Sequence, residues 1–470
     1  MTLEDWSIFC KYNHRVRSLR MERWVIRSPY YGIGPEIWGA IGCPPFALPL
    51  LPNLTSLTWD TAGGTFLCIR SFVTQGLTKL HINAYYPEFK FSPSAQSTLS
   101  CIPMLCPSVS HFEFSGGVES GDASVALQCW SQLISARTGK ISDAAILHLS
   151  KLPSLQTLYL ELRSTPISPN TQKLLQRPAF CVLHVLDVEC ETLALLDAFF
   201  ETLSIAPKIL SFNITYGVDS ARVLPASISR ISNACAHSAL ERLRILVQDS
   251  GADPDTSISA AVFQPLYTFR NLRELDFDVR FDMRLDYATL LQMAKAWPLL
   301  EELLIRGEYS PSSSNGITTN TLISLLQHCP RLTSIDIAVD WSTVDRPDIS
   351  PEIPCQGFAH KALSDASFGS SKFHHAIGVA AFLSAIAPRL KIVSGWNQDC
   401  HCEHPDFQEY YAKWELVNDL VKAFSVVREQ GRRMRKPVGD VGGVEDDYRT
   451  GEAESPSSSD QASSVFGEEE

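Results

Sequence analysis

The segment CHCEHPD (Cys400–Asp406) gathers Cys400, His401, Cys402 and His404, side chains of the kind that ligate zinc. Structural zinc draws on two separated ligand pairs, and no second pair of suitable spacing accompanies this one, so no metal is expected. GIGPEI (Gly32–Ile37) has the opening of a dinucleotide loop, but it lacks the last glycine and follows no strand pattern. The adjacent imidazoles of His374 and His375 could serve acid–base chemistry; they are read as loop or helix surface. There is no GxSxG elbow, no phosphate loop with Lys and Ser/Thr, and no HExxH helix. Asn53 and Asn213 head N-x-T sequons in or beside predicted strands, where glycosylation is not expected. With no acid, base and nucleophile converging on one site, the chain reads as non-catalytic, with no cofactor.

A repeat organises the sequence instead. CPRLTSIDIAV (Cys329–Val339), LPSLQTLYL (Leu152–Leu160), APKILSFNI (Ala206–Ile214) and WPLLEELLI (Trp297–Ile305) share one pattern: apolar, two spacers, apolar, spacer, apolar. Aligned on its first apolar residue, the pattern recurs from Val16 to Leu390, including units phased on Trp130, Leu155, Leu183, Ile209, Leu240 and Leu272. The units at Trp130, Leu363 and Leu390 are degenerate. Proline stands two residues ahead at positions 52, 107, 153, 207, 298, 330 and 388. With 28 prolines in 470 residues, chance would place about one there, so the period is genuine.

Alternation at the fourth to seventh positions is strand spacing, with the fourth and sixth side chains on one face. The intervening segments switch to helical spacing, as at Leu322, Leu325, Leu326 and Cys329. Proline stops each helix and biases its predecessor towards extended geometry. Each unit is thus a strand, a turn and a helix that cannot bury its apolar face alone. Stacked units give an α/β solenoid, with a curved parallel sheet inside and helices outside. Strands are predicted near 57–59, 158–160, 275–277 and 335–337, with Leu158, Leu275 and Ile335 interior. The expected division is a lead-in or cap at 1–30, the solenoid at 31–396, a C-terminal capping helix at 397–436 and a disordered acidic tail at 437–470.

The chain is 45% apolar and 20% charged, ordinary for a globular protein. Its net charge of -12 is uneven, because the segment from Pro437 to Glu470 holds ten acids against Arg449. The body is near neutral, and neither nucleic acid nor membrane is an expected partner. MTLEDWSIFCKYNHRVR carries acids where a secretory signal needs bases, which predicts a cytoplasmic or nuclear protein with its 13 cysteines reduced. Cys106 and Cys329, each before proline, are expected to pack as small hydrophobes.

These units resemble leucine-rich repeats of the longer form, and ISDAAILHLSKLPSLQTLYL (Ile141–Leu160) resembles the cysteine-containing subtype common in F-box proteins. LEDWSIFCKYNHRVRSLRM (Leu3–Met21), LPLLPNLTSLTW (Leu48–Trp59) and WELVNDLVKAFSVVREQGRR (Trp414–Arg433) look like fungal F-box proteins with leucine-rich repeats. The resemblance implies a substrate-recognition module of a ubiquitin ligase, in which an F-box docks on the Skp adaptor. The F-box of that pattern is missing from this chain, the Skp adaptor is an expected partner only if one is encoded upstream of Met1, and GPEIW (Gly34–Trp38) is not taken as one. The alternative is an interaction protein that acts independently of any ligase.

The third, fifth and seventh positions of each unit should face away from the core. Arg242 and Arg244 then meet Glu274 and Asp276 in the neighbouring strand as opposite charges. Glu161 and Glu189 share one column with Asp187 nearby, and no base is expected in the flanking strands. Tyr159, Glu161, Asp187 and Glu189 are therefore the candidate partner-binding residues, an acidic patch with one aromatic anchor suited to a basic protein segment.

Overall fold

The computed structural model describes residues 2–21, 35–60, 62–84, 92–115, 121–176, 179–216, 220–248, 257–279, 282–307, 316–349, 357–396 and 405–435. Among these residues, sixteen strands run in chain order. They are β1 (Ser18–Met21), β2 (Ser56–Asp60), β3 (Lys79–Asn83), β4 (His111–Ser115), β5 (Ser135–Lys140), β6 (Thr157–Glu161), β7 (Val185–Cys190) and β8 (Ile209–Ile214). The rest are β9 (Arg242–Val247), β10 (Ser257–Ser259), β11 (Glu274–Val279), β12 (Asp282–Arg284), β13 (Glu302–Arg306), β14 (Ser334–Asp336), β15 (Asp365–Ser367) and β16 (Ile392–Ser394).

Fourteen of them form one open sheet in sequence order, with only β10 and β12 set aside as a separate parallel pair. Each pairing along the sheet is parallel. Three of the four predicted strands fall inside β2, β6 and β11, and the fourth, 335–337, overlaps β14, which ends at Asp336. This is a leucine-rich-repeat solenoid. Strands sit about 4.8 Å apart whereas packed helices need about 8–10 Å, so helices on one face bend the sheet away from them and leave the other face concave.

Compartments between sheet and helices hold the repeat's apolar residues. Leu158 and Leu275 are fully buried and Ile335 is 1% exposed. Cys106 and Cys329 are buried as small hydrophobes, and burial pushes both thiols up to about 12. Ser92, Ser142, Ser168 and Asp286 start helices by accepting the backbone N–H of Ala95, Ala145, Thr171 and Thr289. Two outer elements, Ala62–Ser71 and Ala260–Thr268, are 3-10 rather than α-helical. In the second, Pro265 removes a backbone donor that an α-helix would use.

At the second position of successive units, hydroxyls stitch the strands together. Thr55, Thr78 and Ser110 donate to the carbonyls of Arg17, Thr55 and Thr78, and Thr333 and Ser364 to those of Glu301 and Thr333. Where these positions are charged the ladder is ionic: Arg273 bridges Glu241 at 3.8 Å and Glu301 at 2.7 Å.

Two units differ in phase from the sequence expectation. Ala136 pairs with Leu158, so that unit begins at Leu133 rather than Trp130. Trp130 lies outside the strand, its indole N–H donating to the Cys106 carbonyl at 3.0 Å. Leu186 pairs with Leu210, so the next irregular unit begins at Pro207 rather than Ile209. A shift of two preserves which face is buried, whereas a shift of three reverses it.

Residues up to Ser425 belong to one compact unit, and the described residues 426–435 to another. Within the first, the early part of the helix Phe407–Arg435 lies on the last repeats. Trp414 stacks on Phe368 with ring centroids 5.3 Å apart, and Asn418 accepts the Val393 N–H of edge strand β16 at 3.1 Å.

Candidate functional site

On the concave face the fifth position reads, from β5 to β14, Arg137, Tyr159, Asp187, Ser211, Arg244, Asp276, Leu304 and Asp336. In the second half Arg244 is followed by Asp276, the neutral Leu304 and Asp336, and the charges pair. Arg242 meets Glu274 and Arg244 meets Asp276, both at 3.2 Å, as their spacing predicts. Arg306 then reaches Asp336 at 2.8 Å, and both Asp276 and Asp278 at 3.3 Å. Burial opposes the Arg306 charge, yet the Asp336 hydrogen bond and the surrounding carboxylates hold its pKa above the ordinary value.

Arg306 was not singled out from the sequence, because its three partners lie on two other strands. Arg306→Ala is expected to cost about 2 kcal/mol, less than the 3–5 kcal/mol of a fully buried pair, because the guanidinium is a third exposed. Asp276 already sits above the usual carboxylate range through burial. Loss of Arg306 raises it further, so the variant's folded state binds protons more readily than its unfolded state. Its stability deficit, measured by urea melts, should therefore shrink as pH falls below neutral. A deficit independent of pH would remove Arg306 from this network.

Tyr159 pairs with Asp187 and Glu161 with Glu189 in the β6–β7 register, so the four candidate residues are contiguous. The expectation that no base flanks them is corrected. Lys140 of β5 lies 3.5 Å from Glu161 and 2.8 Å from Glu191, which follows β7. Arg137 stands 4.5 Å over the Tyr159 ring. Both bases were missed because phasing the unit on Trp130 displaced its strand by three residues, and a bulge between Arg137 and Lys140 places Lys140 beside Glu161. Glu191 was missed because it lies just past the strand end.

The electrostatics divide the patch. Glu191 is lowered by its hydrogen bond from Lys140, and the same bond raises Lys140. Asp187 is raised by burial, with Arg137 and Arg244 only partly offsetting it, and Glu161 is raised by burial despite Lys140. Among the described residues, no cation lies within 4 Å of Asp187 or Glu189. The arrangement is a strip of carboxylates, Glu161 and Asp187 partly desolvated and Glu189 exposed, bordered by one lysine and one tyrosine–arginine stack.

His374 and His375 are positioned at the start of the helix Ala376–Ile386. Their backbone N–H groups donate to Asp345 at 2.8 and 2.7 Å, and both Nδ1 atoms lie within 3.1 Å of the same carboxylate. Burial raises Asp345, but these hydrogen bonds outweigh it and hold the carboxyl below its usual range. The carboxylate thus fixes the backbone of the two residues that lead into the helix. Cys400, His401, Cys402 and His404 lie outside the described residues. Among the described residues no group of three or more His, Cys, Asp or Glu is placed to hold a metal, and no helix is long and apolar enough to cross a membrane.

No family model matches the chain, and no curated protein matches it. Among solved structures it is similar to a chain of the yeast Rad7–Elc1 complex, at 11% identity, covering 72% of this chain and 81% of that one with a TM-score of 0.36. It is also similar to the leucine-rich-repeat ectodomain of the Arabidopsis receptor kinase HAESA, solved with an extended IDA peptide hormone, at 14% identity, 73% and 63% coverage and a TM-score of 0.29. TLR13, in its complex with ssRNA13, is 12% identical over 75% of this chain and 60% of that one, with a TM-score of 0.25. At such loose superposition, it is the chain's own strand order, register and repeat that identify it as a leucine-rich-repeat solenoid.

Proposed function

We propose that this chain is a non-catalytic protein-interaction module of the cytoplasm or nucleus, and that it recognises the substrate of an F-box type ubiquitin ligase through its concave face. The segments 1–30, 31–396, 397–436 and 437–470 belong to this proposal as lead-in, repeat array, closing helix and tail, with β1 already within the first. The partner presents a basic segment to Tyr159, Glu161, Asp187 and Glu189. One observation carries the reading: among the described residues Asp187 and Glu189 have no cation within 4 Å, on a face where Arg242, Arg244, Arg306 and Lys140 are all paired. The partly buried Asp187 carboxylate, with the exposed Glu189 beside it, is held at a cost that an incoming lysine or arginine relieves.

The test is the double variant Asp187→Lys, Glu189→Lys. It should abolish partner capture in pull-downs from the native cell, while the melting temperature stays unchanged or rises slightly. Recovery of the same partners would place binding elsewhere. A cationic partner favours the ionised carboxylate, so capture should weaken as pH falls through the raised Asp187 pKa, above the pH at which an ordinary aspartate protonates.

A leucine-rich-repeat protein acting without a ligase is the second reading, and one contact favours it. Trp38, within GPEIW, sits on the helix Pro35–Gly42 and packs edge-on against Trp59 of β2 at 5.5 Å, so this helix serves the array itself. The Skp adaptor should not co-purify with residues 1–470, but should with any longer product carrying an F-box upstream. Stoichiometric adaptor on the present chain would restore GPEIW as a docking element.

A further inference from the structure

The helix Phe407–Arg435 carries two apolar stripes. Trp414, Val417 and Val421 are buried and account for one of them. The other runs through Leu416, Leu420, Ala423, Val427 and Met434, in steps of 4, 3, 4 and 7 residues. That is the spacing of a coiled-coil seam, with Gln430 filling the remaining position. At about 100° per residue the two stripes lie roughly 120° apart around the helix, so the surface that buries the first cannot also bury the second. Leu416 is 52% exposed, Val427 64% and Met434 84%. Ala423 is exposed as well, and of the five only Leu420 also packs against the core of the array.

Charge is polarised along the same helix. Its first half bears Glu409, Glu415 and Asp419 against Lys413, and its second half bears Lys422, Arg428, Arg432 and Arg433 against Glu429. Lys413 pairs with Glu409 at 2.6 Å and Arg433 with Glu429 at 3.2 Å. Such pairs one turn apart on a helix surface hold their groups weakly and leave them open to a partner's charge.

We propose that this seam joins two copies of the chain through an antiparallel pairing of their C-terminal helices. Antiparallel packing sets Ala423 against the partner's Val427, Leu420 against the partner's Gln430 and Leu416 against the partner's Met434. The alanine leaves the space that the valine fills, and the long, flexible side chains lie along the two leucines. Asp419 then flanks the partner's Arg433 at each end of the pair, and the acidic half of each helix lies along the basic half of the other. A parallel pair would instead align basic half with basic half. A second copy is favoured over an unrelated helix because this one helix supplies both halves of the charge complement. The seam extends over about 27 Å of helix, which suits a reversible dimer rather than an obligate one.

Sedimentation velocity of the full chain over a concentration series should show a monomer–dimer equilibrium, with a dissociation constant in the micromolar range. Val427→Glu alters an exposed side chain, so the variant should melt as the dilute wild type does while weakening the dimer at least about tenfold. Charge reversal tests the direction of pairing. Asp419→Arg and Arg433→Asp should each weaken self-association about tenfold, and an equimolar mixture of the two variants should recover it as a heterodimer. Asp187→Lys with Glu189→Lys should leave the dimer intact, which keeps this surface separate from the acidic patch. A chain that stays monomeric up to about 100 µM overturns the proposal and leaves the seam to a helix of another protein. So does a dimer that Val427→Glu leaves intact. A mixture of the two reversal variants that associates no better than either alone overturns the antiparallel pairing.

Discussion

Leu158→Asp is expected to unfold the centre of the array. Leu158 is fully buried in β6, between Ala136 of β5 and Leu186 of β7. Truncating such a leucine costs about 2–5 kcal/mol, and an unpaired buried carboxylate adds several more. The sum rivals the whole net stability of an ordinary domain, about 5–15 kcal/mol. In a solenoid each unit touches only its neighbours, so the damage should be greatest nearby. Hydrogen exchange should show lost protection from β5 to β7 and in the helix Asp143–Ser150, with β11 to β14 retaining theirs. A wild-type melting curve would contradict the register. Because burial raises the new carboxyl, part of the loss should be recovered on acidification.

How much of this was legible in the sequence depended on how clearly each unit marked its phase. Where Leu155, Leu158 and Leu160 or Leu332, Ile335 and Ile337 occupy the first, fourth and sixth positions, strand, buried face and register all follow from the pattern. The β5 unit places Leu133, Ala136 and Thr138 there. Alanine carries too little apolar weight to mark a strand, and Trp130 three residues earlier drew the phase to itself. The β8 unit begins on Pro207, whose ring fills an apolar position in place of a leucine.

These lapses shaped the site more than the fold. A displaced β5 hid Arg137 and Lys140, the bases that border Tyr159 and Glu161. The Arg242–Glu274 and Arg244–Asp276 pairs, by contrast, were legible because both units were clearly phased and their strands are neighbours. Arg306 required the third dimension, because Asp276, Asp278 and Asp336 lie on two other strands and nothing in any one strand announces the others. Charge on a solenoid face is a property of columns across units, and sequence reasoning reaches it only as accurately as it sets the register.

Gly378→Ala should destabilise the chain, against the usual effect of this change within a helix. Alanine is favoured over glycine by about 1 kcal/mol in a helix interior. Gly378 lies in the helix Ala376–Ile386, where an added Cβ would come to 2.3 Å from the Val344 carbonyl oxygen and 2.9 and 3.0 Å from the Arg346 oxygen and nitrogen. Those atoms are backbone, so no side-chain rotation relieves the clash. The segment around Asp345 must move away, and with it the carboxylate that holds the backbone of His374 and His375 ahead of the helix. Overpacking of about 1–3 kcal/mol then combines with the loss of these charge-assisted hydrogen bonds. Gly39, in the helix Pro35–Gly42, is the control, since a Cβ there meets nothing within 4 Å. Gly39→Ala should leave stability unchanged or slightly raised. Asp345 also supplies a signature in pH. Its depressed folded pKa contributes stability that is present above the unfolded value and lost as pH falls through the folded one. The gap between wild type and Gly378→Ala, followed by urea melts, should therefore narrow in acid, and nuclear magnetic resonance should find the Asp345 carboxyl back near its ordinary range. A Gly378→Ala chain that melts above the wild type would show that the loop and the helix do not meet here.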